Sequence, residues 1–111
     1  MPPLPIELHP EAIAEARGAR EWYAERSPVA ASAFMAELDL AIDQISASPD
    51  RWATYLHGTR RYLLNRFPYF VVYRVAGDKL QVVALAHGKR RPGYWRHRLK
   101  TDDTLRQDRD Q

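Results

Sequence analysis

Two strands of alternating side chains, separated by Gly77-Asp78, fill much of the last third of the chain and oblige that part to form an antiparallel sheet. From Tyr69 to Val75 a period of two sends Tyr69, Val71, Tyr73 and Val75 one way and Phe70, Val72 and Arg74 the other. Gly tolerates positive φ and Asp tolerates the left-handed region, so Gly77-Asp78 predicts a tight turn. The chain then returns through Leu80, Val82, Ala84 and Ala86 to His87. Beyond His87 the stretch Gly88 to Arg98 is basic and aromatic, which places a charged cluster at one end of the sheet.

The remaining elements follow from start and stop signals. Ile6 and Leu8 alternate with Glu7 and His9, predicting a short first strand with one buried face, ended by Pro10. Proline suits a first helical position, and Ile13, Ala16, Ala19 or Arg20, and Tyr23 recur at helical spacing to about Arg26. Ser27-Pro28 repeats the start signal, and Ala31, Phe34, Leu38, Ile42 and Ile45 mark the buried stripe of a second helix that stops before Ser48-Pro49. Trp22, Tyr23 and Phe34 are expected in the core. Residues 49–59 read as a loop pinned to the core by Trp52 and Tyr55, Arg60 to Asn65 as a strand, and Arg66-Phe67-Pro68 as the turn into the next. The expected class is α+β, in the order βααβββ, with a helix hairpin packed on a small, mainly antiparallel sheet.

Charge is unevenly spread. The net charge of +3 divides into −5 over residues 1–59, +10 over residues 60–100 and −2 over residues 101–111. A basic face of this kind attracts nucleic acid or an acidic protein partner at long range. At 111 residues the chain reads as one domain over 1–100 with a polar tail over 101–111 whose composition predicts disorder. There are no cysteines, and the four histidines lack zinc-ligand spacing, so no metal or cofactor is expected. With no basic and apolar leader and no apolar run of spanning length, a cytoplasmic location without membrane attachment is the expectation.

The order FPY, VVY, a turn, VVALAH and then His87-x-x-Arg90-x-Pro92-x-Tyr94-Trp95, preceded by helices carrying Glu21-Trp22-Tyr23 and Ala33-Phe34, resembles the RelE/ParE family of type II toxin-antitoxin toxins, also called plasmid stabilisation proteins. The resemblance covers roughly Pro5 to Arg98. It implies a growth-inhibiting toxin neutralised by a cognate antitoxin, and it implies either of two targets: DNA gyrase, blocked without catalysis, or mRNA, cut at the ribosome without a metal. One fold hosts both activities, so the fold does not choose between them.

RNA cleavage needs a base, an acid and cations around the phosphate. The candidates are His87 or Tyr94 for proton transfer, with Arg61, Lys89 and Arg90 for charge. RelE-like nucleases place an arginine two residues before the Val-Tyr pair that corresponds to Val72-Tyr73, and this chain has Phe70 there. They also carry lysines on the strand that here reads Tyr62-Leu63-Leu64 between arginines. These departures favour gyrase inhibition. For binding the target or the antitoxin the candidates are Arg60, Arg61, Arg66, Lys89, Arg90 and Arg91. His87 could equally do no more than hydrogen-bond the backbone, and Tyr94 and Trp95 could seal the sheet against the helices. A plain nucleic-acid-binding module, holding phosphates on its basic strands, is the rival from another class.

Overall fold

The computed structural model describes residues 3–99, so the tail over 101–111 lies outside the described residues. Seven elements run in the order β1 (Ile6–Leu8), α1 (Pro10–Arg26), α2 (Pro28–Ala47), β2 (Ala53–Thr54), β3 (Arg60–Leu63), β4 (Tyr69–Ala76) and β5 (Lys79–His87), with short 3₁₀ turns at Leu56–Gly58 and Arg96–Leu99. The sheet has five strands in the order β1-β5-β4-β3-β2. β1 runs parallel to β5 and the other pairings are antiparallel, so the α+β class and the helix hairpin behind a mainly antiparallel sheet are present. Among the described residues no helix is long and apolar enough to cross a membrane.

Ser27 alone joins the two helices. Its amide donates to the Tyr23 carbonyl at 2.8 Å, closing α1, while its hydroxyl accepts from the Ala30 amide at 3.2 Å, opening α2. Pro28 follows at the first position of α2, where its missing N–H costs nothing. The buried stripe of α2 is Ala31, Phe34, Leu38, Ala41 and Ile45, the three-and-four spacing of one helical face. Its Phe34, Leu38, Ala41 and Ile45 pack with Val71, Tyr73, Leu80, Val82 and Leu85 on the sheet, and Ile42, expected in the buried stripe, is only half-buried against the same core, with Ala41 in its place. Around Phe34 the rings of Tyr23, Phe67 and Tyr69 lie with centroids 5.0–5.5 Å apart, and such pairs contribute about 0.5–1.5 kcal/mol each beyond area burial.

The other face of the sheet has its own core: Phe70, Val72, Val83, Ala84 and Ala86 beneath Trp95 and Leu99. A β-bulge sets this division. Val72 pairs with Ala84 but Tyr73 pairs with Val82, which leaves Val83 as the extra residue of β5. Leu80 and Val82 therefore face the helices, whereas Ala84 and Ala86 face away, and the period of two read along β5 breaks between them.

Other expectations are corrected. Residues 49–59 are not all loop: Ala53–Thr54 pairs with Arg60–Arg61, a strand too short to show a period. The strand expected to reach Asn65 ends at Leu63, because Glu37 of α2 accepts hydrogen bonds from the Asn65 and Arg66 amides at 2.5 and 3.2 Å. Ile6 and Leu8 are 40% and 42% exposed, so β1 lacks the buried face expected of it. Trp22 is 50% exposed rather than core, with the Arg26 guanidinium 3.5 Å above its ring. Trp95 is fully buried, but it covers the sheet face opposite the helices, because the chain after β5 crosses to that side. Trp52 and Tyr55 do pin their loop, against Tyr62 and against Phe70 and Trp95 respectively.

Burial pushes the Glu37 carboxyl up, but hydrogen bonds from the backbone and side chain of Arg66 and from the Asn65 amide outweigh it and hold the group below its ordinary value of 4.5. A depressed carboxylate contributes stability above the unfolded pKa and loses it as pH falls through the folded value. Wild type is thus expected to exceed Glu37→Gln in urea stability at pH 7, with the difference shrinking as pH falls well below 4.5. A difference equally large at pH 7 and at pH 3 contradicts this.

Candidate functional site

The basic loop after β5 is shaped by two turns. The Arg90 amide donates to the His87 carbonyl at 3.0 Å, and the Tyr94 amide donates to the Arg91 carbonyl at 3.2 Å. Pro92 and Gly93 are the central residues of the second turn, and the φ of +78° at Gly93 is the value that position requires in a type II turn. A Cβ on Gly93 would also sit 3.4 Å from the His57 ring, so the β2–β3 connection approaches closely here. His57 itself adopts φ 58°, an uncommon conformation for a residue with a side chain.

Because Tyr69 pairs with His87 and the Gly88 amide donates to the Pro68 carbonyl at 2.8 Å, the loop holding Arg66 and the loop holding Lys89, Arg90 and Arg91 meet at one end of the sheet. Not all of these cations are equally available. Arg66 Nε donates to Glu37 at 3.2 Å, and Arg60 donates to the Trp52 carbonyl at 2.6 Å, so both tie loops to the body of the fold. Arg61 lies over the Tyr55 ring at 4.4 Å and the Phe70 ring at 5.3 Å, on the face away from the helices. Lys89, Arg90 and Arg91 are exposed, and the Arg90 guanidinium rests 3.9 Å from the centre of the Tyr94 ring.

The candidates for proton transfer are held differently. His87 Nδ1 accepts from the Lys89 amide at 3.0 Å, which leaves the neutral ring with its proton on Nε2, and the ring stands edge-on to Tyr69 at 5.0 Å on the helix side of the sheet. The Tyr94 hydroxyl donates to Glu15 of α1, and burial together with that carboxylate pushes its pKa far above the ordinary tyrosine value. Arg61 and His87 thus stand on opposite faces of the sheet. Phe70, in the position where the related nucleases carry arginine, is buried beneath Tyr55.

Glu15 and Arg98 were not singled out by sequence reasoning. Arg98 is 5% exposed and donates through both terminal nitrogens to Glu15, at 2.8 and 3.0 Å, and to the Val83 carbonyl at 3.1 Å. Its Nε lies 3.4 Å from Glu11. The available signal was a carboxylate at position 15 between Ala12 and Ala19, the two buried residues of α1. On the other flank of α1 a groove of about 270 Å³ opens against α2 and the sheet, lined by Leu8, Ile13, Leu38 and Val82 with Arg17 and Arg20.

The model of the family described as the ParE toxin of type II toxin-antitoxin system, parDE, matches residues 6–92. No curated protein matches the chain. Among solved structures, one of the chromosomal ParDE TA system from P. aeruginosa is similar in fold, with a TM-score of 0.69 and 16% identity, over 78% of this chain and 98% of that one.

Proposed function

The chain belongs to the ParE toxin family of type II toxin-antitoxin systems, and on that premise we propose that it arrests growth by binding and blocking DNA gyrase, without catalysis, until a cognate antitoxin covers its basic surface. The observation that supports this over mRNA cleavage is the separation of two groups a nuclease would use together, a cation and a base. Arg61 and His87 flank opposite faces of the sheet, and the Tyr94 proton is committed to Glu15. The place of the missing arginine is filled by Phe70 in an apolar cluster. An in-line attack on phosphate here lacks the strand arginine that Phe70 replaces, and removing one such charge-stabilising group elsewhere costs on the order of a hundredfold or more in rate. What the surface does offer is an exposed, rigidly turned basic loop suited to recognition.

Primer extension on translating ribosomes tests the exclusion of cleavage. No codon-phased cuts are expected with the chain present. Cuts that vanish in His87→Ala or Tyr94→Phe would establish a rearranged nuclease site instead.

The antitoxin is expected to lay an acidic, partly disordered segment on residues 60–98, whose charge it neutralises. The groove beside α1, with Arg17 and Arg20 in its lining, gives the same segment a place for apolar side chains. Hydrogen exchange of the chain with and without antitoxin is expected to protect amides within residues 60–98, and salt is expected to slow association more than it speeds dissociation. A footprint confined to Glu7 to Asp50 overturns this assignment.

A further inference from the structure

We propose that Glu15 is a positioning residue for Arg90, acting through the ring of Tyr94. This rests on the reading of Arg90 as a target contact. Four donors converge on the Glu15 carboxylate. Oε1 accepts from the Leu85 amide at 3.1 Å and from Arg98 at 2.8 Å, and Oε2 accepts from Arg98 at 3.0 Å and from the Tyr94 hydroxyl.

Tyr94 is held at both ends. Its amide closes the Pro92-Gly93 turn, and its hydroxyl is anchored on α1. A ring fixed at its backbone and at its para position cannot swing, so the face it offers to Arg90, 3.9 Å away, is a stationary platform. Arg98 approaches the same ring at 5.3 Å and holds the carboxylate in place with paired bonds from its planar guanidinium. An exposed arginine on such a platform samples fewer rotamers than one in water, and a side chain already ordered loses less entropy when it docks on a partner. Helix α1 thereby sets the direction in which the recognition loop presents its cation.

The test is an NMR measurement of Arg90 side-chain order, by ¹⁵N relaxation of its Nε–H group, paired with the concentration of chain needed for half-maximal growth inhibition. Glu15→Gln keeps an acceptor but loses the charge that holds Arg98, and Tyr94→Leu removes the platform while leaving the Glu15–Arg98 pair in place. Both are expected to lower Arg90 order and to raise the inhibitory concentration, by roughly tenfold for Tyr94→Leu. If Glu15→Gln does not fold, Tyr94→Phe replaces it, cutting the tether but keeping the ring. Arg90→Ala separates the contact itself from its positioning. If it leaves inhibition unchanged, the reading of Arg90 as a contact fails, and the positioning role with it. If Arg90→Ala abolishes inhibition while Arg90 stays as ordered in the Glu15 and Tyr94 variants as in wild type, the positioning role alone is overturned.

Discussion

Growth inhibition is expected to disappear in Arg90→Ala while the fold survives. The side chain is exposed and its contact is the open face of Tyr94, so removing it costs stability of roughly 0.5–1 kcal/mol at most. A target surface that receives the guanidinium loses a contact made from an ordered loop, and that loss is of the kind that dominates binding energy. Arg91→Ala is expected to do less, because Arg91 is exposed and supplies the carbonyl of the Pro92-Gly93 turn through its backbone, which alanine retains. Expression of each variant without antitoxin, with circular dichroism and thermal melting of the purified chain, checks both. Normal folding with undiminished toxicity in Arg90→Ala would return that arginine to the role of solvated surface.

A large loss of stability is expected from Arg98→Ala. Breaking a buried ion pair by removing one partner costs about 3–5 kcal/mol, since the other charge is left without compensation. Glu15 keeps its bonds from Tyr94 and the Leu85 amide, so the expected cost is about 3 kcal/mol, the lower end of that range. For a domain of this size that corresponds to a fall in melting temperature of roughly 12–24 °C. The same substitution leaves the Val83 carbonyl at the bulge without its donor from Arg98. A melting temperature within roughly 4 °C of wild type, about 1 kcal/mol, would mean that the pair contributes little.

Strong periods made most of the fold legible. The stripe on α2, the Ser27-Pro28 start signal and the Gly77-Asp78 turn each announce one local conformation, and each appears where expected save that Ala41 rather than Ile42 is the buried member of the stripe. Two features escaped because they depend on partners distant in sequence. The bulge at Val83 is a mismatch of register between β4 and β5, and nothing in either strand taken alone marks it. Yet it decides that Ala84 and Ala86 face away from the helices and so creates the surface that Trp95 covers. The Glu15–Arg98 pair bridges 83 positions, and its only local trace is a carboxylate on the buried side of α1. Trp22 shows the converse limit: a large aromatic was expected in the core, but its helical position turns it outward, where Arg26 covers one face.

The basic residues were visible as a charge excess, but their availability was not. Composition treats Arg60, Arg66 and Arg90 alike, whereas the first two are bound to the Trp52 carbonyl and to Glu37 and the third stands free of such anchors on its ring. A basic segment is therefore two kinds of surface, one that holds loops to the body of the fold and one that is presented outward.

Non-catalytic inhibition of gyrase is tested most directly by a supercoiling assay with purified enzyme and relaxed plasmid, titrated with the purified chain. Supercoiling is expected to fall with increasing chain, to return when antitoxin is added, and to stay intact with Arg90→Ala at the same concentrations. Undiminished supercoiling at concentrations of chain that cut mRNA in the ribosomal A site would contradict gyrase inhibition.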